Sequence, residues 1–189
     1  MGRYKAVDFL TNPTESIDFL PAPEWSTPEK RQEAARKRFA EIRDSRKNMQ
    51  GMTAEEADRK RREIAQKFQQ LERRQGLEAQ GWWLDRMFRS EAPLREKMTL
   101  FWHDHFATSV QKVKEPALLF DQNVTFRKHA LGNFKKLTLA MAQDPAMMLY
   151  LDLQTSKKGK PNENFAREVM ELFTLGQGNY TEEDIRQAA

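Results

Sequence analysis

Eight prolines punctuate this chain of 189 residues, and each falls between stretches of strong helix formers rather than inside one. Proline cannot donate to the helical ladder and clashes with the preceding turn, so these positions set where helices start and stop. Between them Ala, Leu, Glu, Lys, Arg and Gln dominate, while strand-favouring Val, Ile and Thr are sparse. The expected fold class is all-α, an irregular multi-helix bundle with a protruding basic helical hairpin. Twelve Phe, four Trp and nine Met supply bulky core material, enough for one core domain with a peripheral extension. The absence of cysteine removes disulfides, thiolate metal sites and cysteine nucleophiles. Met1 to Leu10 hold no signal-length apolar run, and nothing approaches the roughly 20 apolar residues of a membrane span.

Boundaries follow from the same punctuation. Tyr4 to Leu10 reads as the end of a helix stopped at Thr11-Asn12-Pro13, and Asp18 to Pro28 as an extended linker docking through Phe19, Leu20 and Trp25. Residues 1–26 form that first region. Thr27-Pro28 starts a helix running to about Asn48, Gly51 breaks it, and Thr53 with Glu56 forms a capping box for a second helix reaching about Gln75. Residues 27–76 are thus a charged hairpin with a thin apolar seam of Phe39, Ile42, Ile64, Phe68 and Leu71.

Residues 77–189 read as the core. A new helix is expected around Trp82 to Phe88. Leu94, Met98, Phe101 and His105 recur at i, i+4, i+7 and i+11, which predicts an inward stripe. Pro116 and Pro145 each open a further segment. Asn162 can cap a helix from Glu163 to Leu175 ended by Gly176, with Phe165, Val169, Leu172 and Phe173 on its buried side. Thr181 to Asp184 opens a last helix in which the sequence stops. The abrupt first element and this last one suggest a chain cut at both ends.

Charge is segregated. Between Glu29 and Arg74 there are 15 basic and nine acidic residues, against 17 and 19 elsewhere. That excess reads first as a solvated helical hairpin, and otherwise suits an acidic partner or an anionic surface better than nucleic acid, because Phe39 and Phe68 are assigned to the hairpin's own seam and none is left to stack on bases.

Two stretches can carry chemistry. His103 and His105 offer alternating imidazoles, a common source of metal ligands, yet residues two apart on a helix point about 200° apart. Both reach one divalent metal only if the helix ends there, as Thr108 and Ser109 allow; otherwise His105 is a buried hydrogen-bonded side chain and His103 a surface one. Asn164, Glu168 and Glu171 lie along one line at i, i+4 and i+7, and Glu163 and Arg167 are spaced for an ion pair. Glu168, on the apolar side, needs a partner. It can bridge to Arg95, Arg127 or Arg167, ligate a metal with His105 and another carboxylate, or act as a general acid or base. The catalytic candidates are therefore Glu168, His105 and Glu171, the binding candidates His103, Asn162, Asn164 and Arg167, and the metal candidates His103, His105 and Glu168. No nucleophile elbow, phosphate loop or dinucleotide fingerprint is present.

Phe101-Trp102-His103-Asp104-His105-Phe106-Ala107-Thr108-Ser109, Tyr150-Leu151-Asp152, Pro161-Asn162-Glu163-Asn164-Phe165-Ala166-Arg167-Glu168, Met170-Glu171-Leu172-Phe173-Thr174-Leu175-Gly176 and Tyr180-Thr181-Glu182 occur in that order. This series resembles the core of the bacterial domain-of-unknown-function 1800 (DUF1800) family over about Leu77 to Ala189. Tyr4 to Trp25 resembles that family's N-terminal region more weakly, and the hairpin looks like a variable insert. The resemblance implies a longer protein continuing past this end, an exported life in the periplasm or outside the cell, and a neighbouring sulfatase-like protein as partner. It implies no settled activity, so an enzyme with a metal-assisted hydrolytic site and a non-enzymatic adaptor presenting the hairpin both stand as expectations.

Overall fold

The computed structural model describes Val7, Leu10, Thr11 and residues 20–189. Of the first region's readings, Val7, Leu10 and Thr11 are described and helical, whereas the rest of Tyr4 to Leu10, the stop at Pro13 and Phe19 as a docking residue lie outside the described residues. Every regular element among these residues is helical, with one isolated antiparallel bridge between Lys157 and Lys160. None of the described helices is long and apolar enough to cross a membrane. The chain divides into two compact units, one of Leu20–Asp85 and one holding Arg86–Ala189.

The first unit is built on a helical hairpin. Helix α1 (Pro28–Asn48) starts where Thr27 accepts from the Lys30 amide at 3.4 Å and Pro28 takes the first helical position. Gly51, at φ +99°, supplies the left-handed turn that reverses the chain. The box at Thr53 then forms, with the Thr53 amide donating to Glu56 Oε2 at 2.9 Å and the Glu56 amide to Thr53 Oγ1 at 3.3 Å. Helix α2 (Ala54–Arg89) does not stop at Gln75 but runs for 36 residues. Gly76 and Gly81 each weaken a helix by about 1 kcal/mol relative to alanine, which is too little to end one that no proline interrupts. The preceding segment is tied down by Trp82, whose indole nitrogen donates to the Pro21 carbonyl at 2.8 Å.

In the second unit the remaining helices are α3 (Pro93–His105), α4 (Val110–Val113), α5 (Pro116–His129), α6 (Phe134–Ala142), α7 (Pro145–Tyr150), α8 (Asn164–Glu168) and α9 (Glu182–Ala188). They begin on a proline or a capping side chain, except α8, whose N-cap residue Glu163 makes no side-chain cap. Asn133 caps α6 through the Lys136 amide at 3.1 Å, and Thr181 and Asp184 close a reciprocal box on α9. Phe106, Phe126, Leu137, Met141, Met147, Leu151 and Phe173 form the core, with Trp102, Tyr150, Phe165 and Val169 packed on it.

Two expectations about which residues face this core are corrected. On α3 the buried positions are Glu96 and Thr99, with Phe106 just beyond its end, whereas Phe101 is 51% exposed. The apolar stripe lies on the side of the helix opposite that buried face, which is filled by a polar network. Beyond α8 the chain widens into a π-helical turn over Val169–Thr174, where the Leu175 amide reaches the Met170 carbonyl at 2.9 Å. The extra residue per turn rotates the register, so Phe173 is buried while Leu172 is 62% exposed.

Candidate functional site

The most deeply buried polar groups are ones the sequence reading did not single out. Glu96 on α3 accepts from Arg86 Nε at 3.2 Å and from Arg127 Nε and Nη2 at 2.8 and 3.0 Å, and Arg127 Nη1 donates to Asn123 Oδ1 at 2.8 Å. Burial alone would raise the Glu96 carboxyl, but the hydrogen bonds and charges of Arg127 and Arg86 hold it below the usual carboxylate value. The network's acid, Glu96, sits between Arg95 and Lys97 in a mixed helix, so neither composition nor spacing marked it.

A second buried chain runs from Thr108 Oγ1 to Gln122 Oε1 at 2.6 Å, and from Gln122 Nε2 to Asp144 Oδ1 at 2.7 Å. The same oxygen caps α7 by accepting from the Met147 amide at 2.8 Å. Burial pushes the Asp144 carboxyl above its usual value.

The two histidines part company at the end of α3. His105 Nε2 sits 3.0 Å from the Phe173 carbonyl oxygen. A carbonyl only accepts, so Nε2 carries a proton, and in the corresponding neutral tautomer Nδ1 is the acceptor. The ring lies among Phe101, Trp102, Phe106, Phe134 and Phe173, at centroid distances of 4.7 to 6.2 Å. His103 turns the other way, 5.5 Å from the Phe126 ring, and burial holds its imidazole below the usual value.

The remaining candidates clasp neighbouring backbone and side chains. Asn162 Nδ2 donates to the Asp152 carbonyl at 3.1 Å and to Thr155 Oγ1 at 2.9 Å, while its Oδ1 receives the Asn164 amide at 2.9 Å. Asn164 Nδ2 reaches the Leu151 carbonyl at 3.3 Å. Asp152, in the left-handed region at φ +59°, accepts from Lys112 at 2.6 Å, and that ammonium stands 5.5 Å over the Tyr150 ring. Arg167 forks onto Glu182 at 2.7 and 2.9 Å, with Glu163 at 3.6 Å. Glu171 accepts from the Tyr180 hydroxyl at 2.8 Å, which holds that phenol above its usual value.

Glu168 is different, since it is half-buried at the end of α8 and its side chain makes no hydrogen bond or ion pair among the described residues. Neither Arg127 nor Arg167 pairs with it. Among the described residues no group of three or more His, Asp and Glu side chains stands close enough to hold a metal ion. His103, His105 and Glu168 are therefore not assembled as one metal cage.

A family model described as "Protein of unknown function (DUF1800)" matches residues 7–189. The chain belongs to that family. No curated protein and no solved structure matches it.

In this DUF1800 chain the two buried carboxylates answer to pH in opposite senses. Asp144 has a raised folded-state value, so its contribution to stability is full below the unfolded value near pH 4 and is lost as pH rises through the folded one. Asp144→Asn keeps an oxygen to accept from Gln122 and Met147 but does not ionise. Relative to the parent, the Asn variant is expected to gain thermal stability as pH rises from about 4 towards neutrality. Midpoints measured across that range check this, and a constant difference would show that Asp144 does not titrate in the fold.

Proposed function

We propose that this DUF1800 chain is a helical binding scaffold that docks on an anionic partner through its basic hairpin, with the polar residues around Asn162 to Glu171 serving as clasps. The observation that carries this reading is the engagement of Asn162, Asn164, His105, Arg167 and Glu171 with backbone or side chains of their own unit. Side chains held in this way fix loops to helices. The hairpin meanwhile carries the excess positive charge, and a surface of that kind accelerates and orients association with acidic partners.

The test is retention of the full chain on a polyanionic heparin column. Reversing Arg36, Arg46 and Lys47 to Glu is expected to lower the eluting salt far more than reversing Lys97, Lys128 and Lys135, which removes the same charge from the other unit. Equal shifts would mean that net charge, and not the hairpin, governs retention.

A second reading rests on Glu168, the candidate carboxylate without a partner, with Glu171 and the Nδ1 acceptor of His105 on neighbouring elements. It makes the site an acid–base or metal-assisted hydrolytic one. Calorimetric titration of the full chain with zinc or magnesium distinguishes the two. Uptake abolished by Glu168→Gln and by His105→Ala supports the second reading, and unchanged titrations support the scaffold.

A further inference from the structure

The hairpin does not keep its aromatics to itself. Phe39 is 75% exposed, although its sequence position suggested the seam between α1 and α2. Arg36, Phe39, Arg43 and Arg46 recur at i, i+3, i+7 and i+10, and Lys47 follows at i+11. At 3.6 residues per turn these five side chains fall within an arc of about 100° and a length of about 16 Å. All five are exposed. Arg36, Arg46 and Lys47 make no ion pair among the described residues, and Arg43 has Asp44 at 3.0 Å. Glu33, Glu41 and Asp44 fall outside the arc; Glu29, in the first turn, is its one acid. The face is a strip of cations with a single ring at its centre.

We infer that this face of α1 lies on an anionic lipid surface, a deepening of the docking role proposed above. Charge complementarity selects the class of partner, since four cations on one face call for a dense array of anions. The shape and the ring select lipid within that class. A convex helix face carrying one Phe offers no groove and no succession of rings for a single-stranded nucleic acid to stack along. A bilayer surface is flat, takes a lone ring between headgroups, and lets each long basic side chain extend to a phosphate while its stem covers apolar surface. Phe39, exposed in the free protein, then leaves water for the acyl boundary.

The experiment is co-sedimentation of the full chain with vesicles of phosphatidylcholine alone and of phosphatidylcholine mixed equally with phosphatidylglycerol, at low and high salt. Binding is expected on the mixed vesicles only and falls as salt rises. Each of Arg43→Ala and Arg46→Ala should weaken it about five-fold, and Phe39→Ala about ten-fold. Phe88→Ala, which removes another exposed ring, should leave binding unchanged, and circular dichroism checks that each variant folds. Equal binding to both vesicle types, or no loss with Phe39→Ala, overturns the proposal, as does tighter binding to a single-stranded or duplex oligonucleotide than to the mixed vesicles. Retention on the polyanion column that depends on the hairpin, without vesicle binding, sinks the lipid assignment and leaves the docking role standing.

Discussion

Replacing Glu96 with alanine is expected to cost about 3–5 kcal/mol of folding free energy. The carboxylate is 3% exposed and takes three hydrogen bonds, one from Arg86 and two from Arg127, both arginines being buried as well. These residues join the end of α2 to α3 and α5, so the loss falls on three helices at once. Removing the acid leaves two guanidinium groups in the interior without it, and a buried charge deprived of its counter-charge is far costlier than the pair was beneficial. Denaturant unfolding measures the change. A loss below about 1 kcal/mol would show that other groups hold both arginines well enough alone. The pH dependence has a definite sign. Because the folded-state value of Glu96 lies below the unfolded one, its contribution is present above the unfolded value and is lost as pH falls through the folded one. The parent should therefore lose this support in acid, and the alanine variant has none left to lose.

Phe173→Ala is expected to cost about 3–5 kcal/mol, whereas Leu172→Ala should stay near 0.5 kcal/mol. Phe173 belongs to the core and its ring sits 5.0 Å from that of Phe106, while Leu172 faces water. The contrast tests the π-helical turn itself. A regular α-helix through this segment would share burial between the two positions, and comparable costs would reject the observed register. Phe173→Ala should also loosen the His105 contact, since the backbone it anchors carries the carbonyl that His105 holds.

Local start and stop signals were legible because each depends on a few adjacent residues. Thr27-Pro28, Thr53 with Glu56, Asp144-Pro145 and Thr181 with Asp184 all begin helices as expected. The motifs that carry the family resemblance were legible for the same reason. What stayed hidden depended on partners distant in sequence. Periodicity placed Phe101 inward, but it cannot reveal that Arg86 and Arg127 would meet Glu96 and claim the other face of α3. The run from Ala54 to Arg89 looked broken at its glycines because composition changes there, and composition does not end a helix. Phe39 was assigned to the seam by residue type, yet it stands out in solvent and Leu71 is exposed as well, while Ile42, Ile64 and Phe68 are half-buried. The polar candidates were picked from their residue types and spacing alone. Their engagement in clasps follows from loop geometry around Asp152 and Asn162 that no spacing rule encodes.

The π-helical turn has a consequence for how related chains should be compared. A helix that carries one residue more than its pitch calls for has room to absorb a single-residue insertion without displacing the segments on either side. A relative one residue shorter between Val169 and Thr174 would close the turn into an ordinary helix and still deliver an aromatic ring to the core. An ungapped comparison of two such chains would set Leu172 of this one against the other's buried ring, and would report a lost core residue where only the reading frame of the helix had slipped.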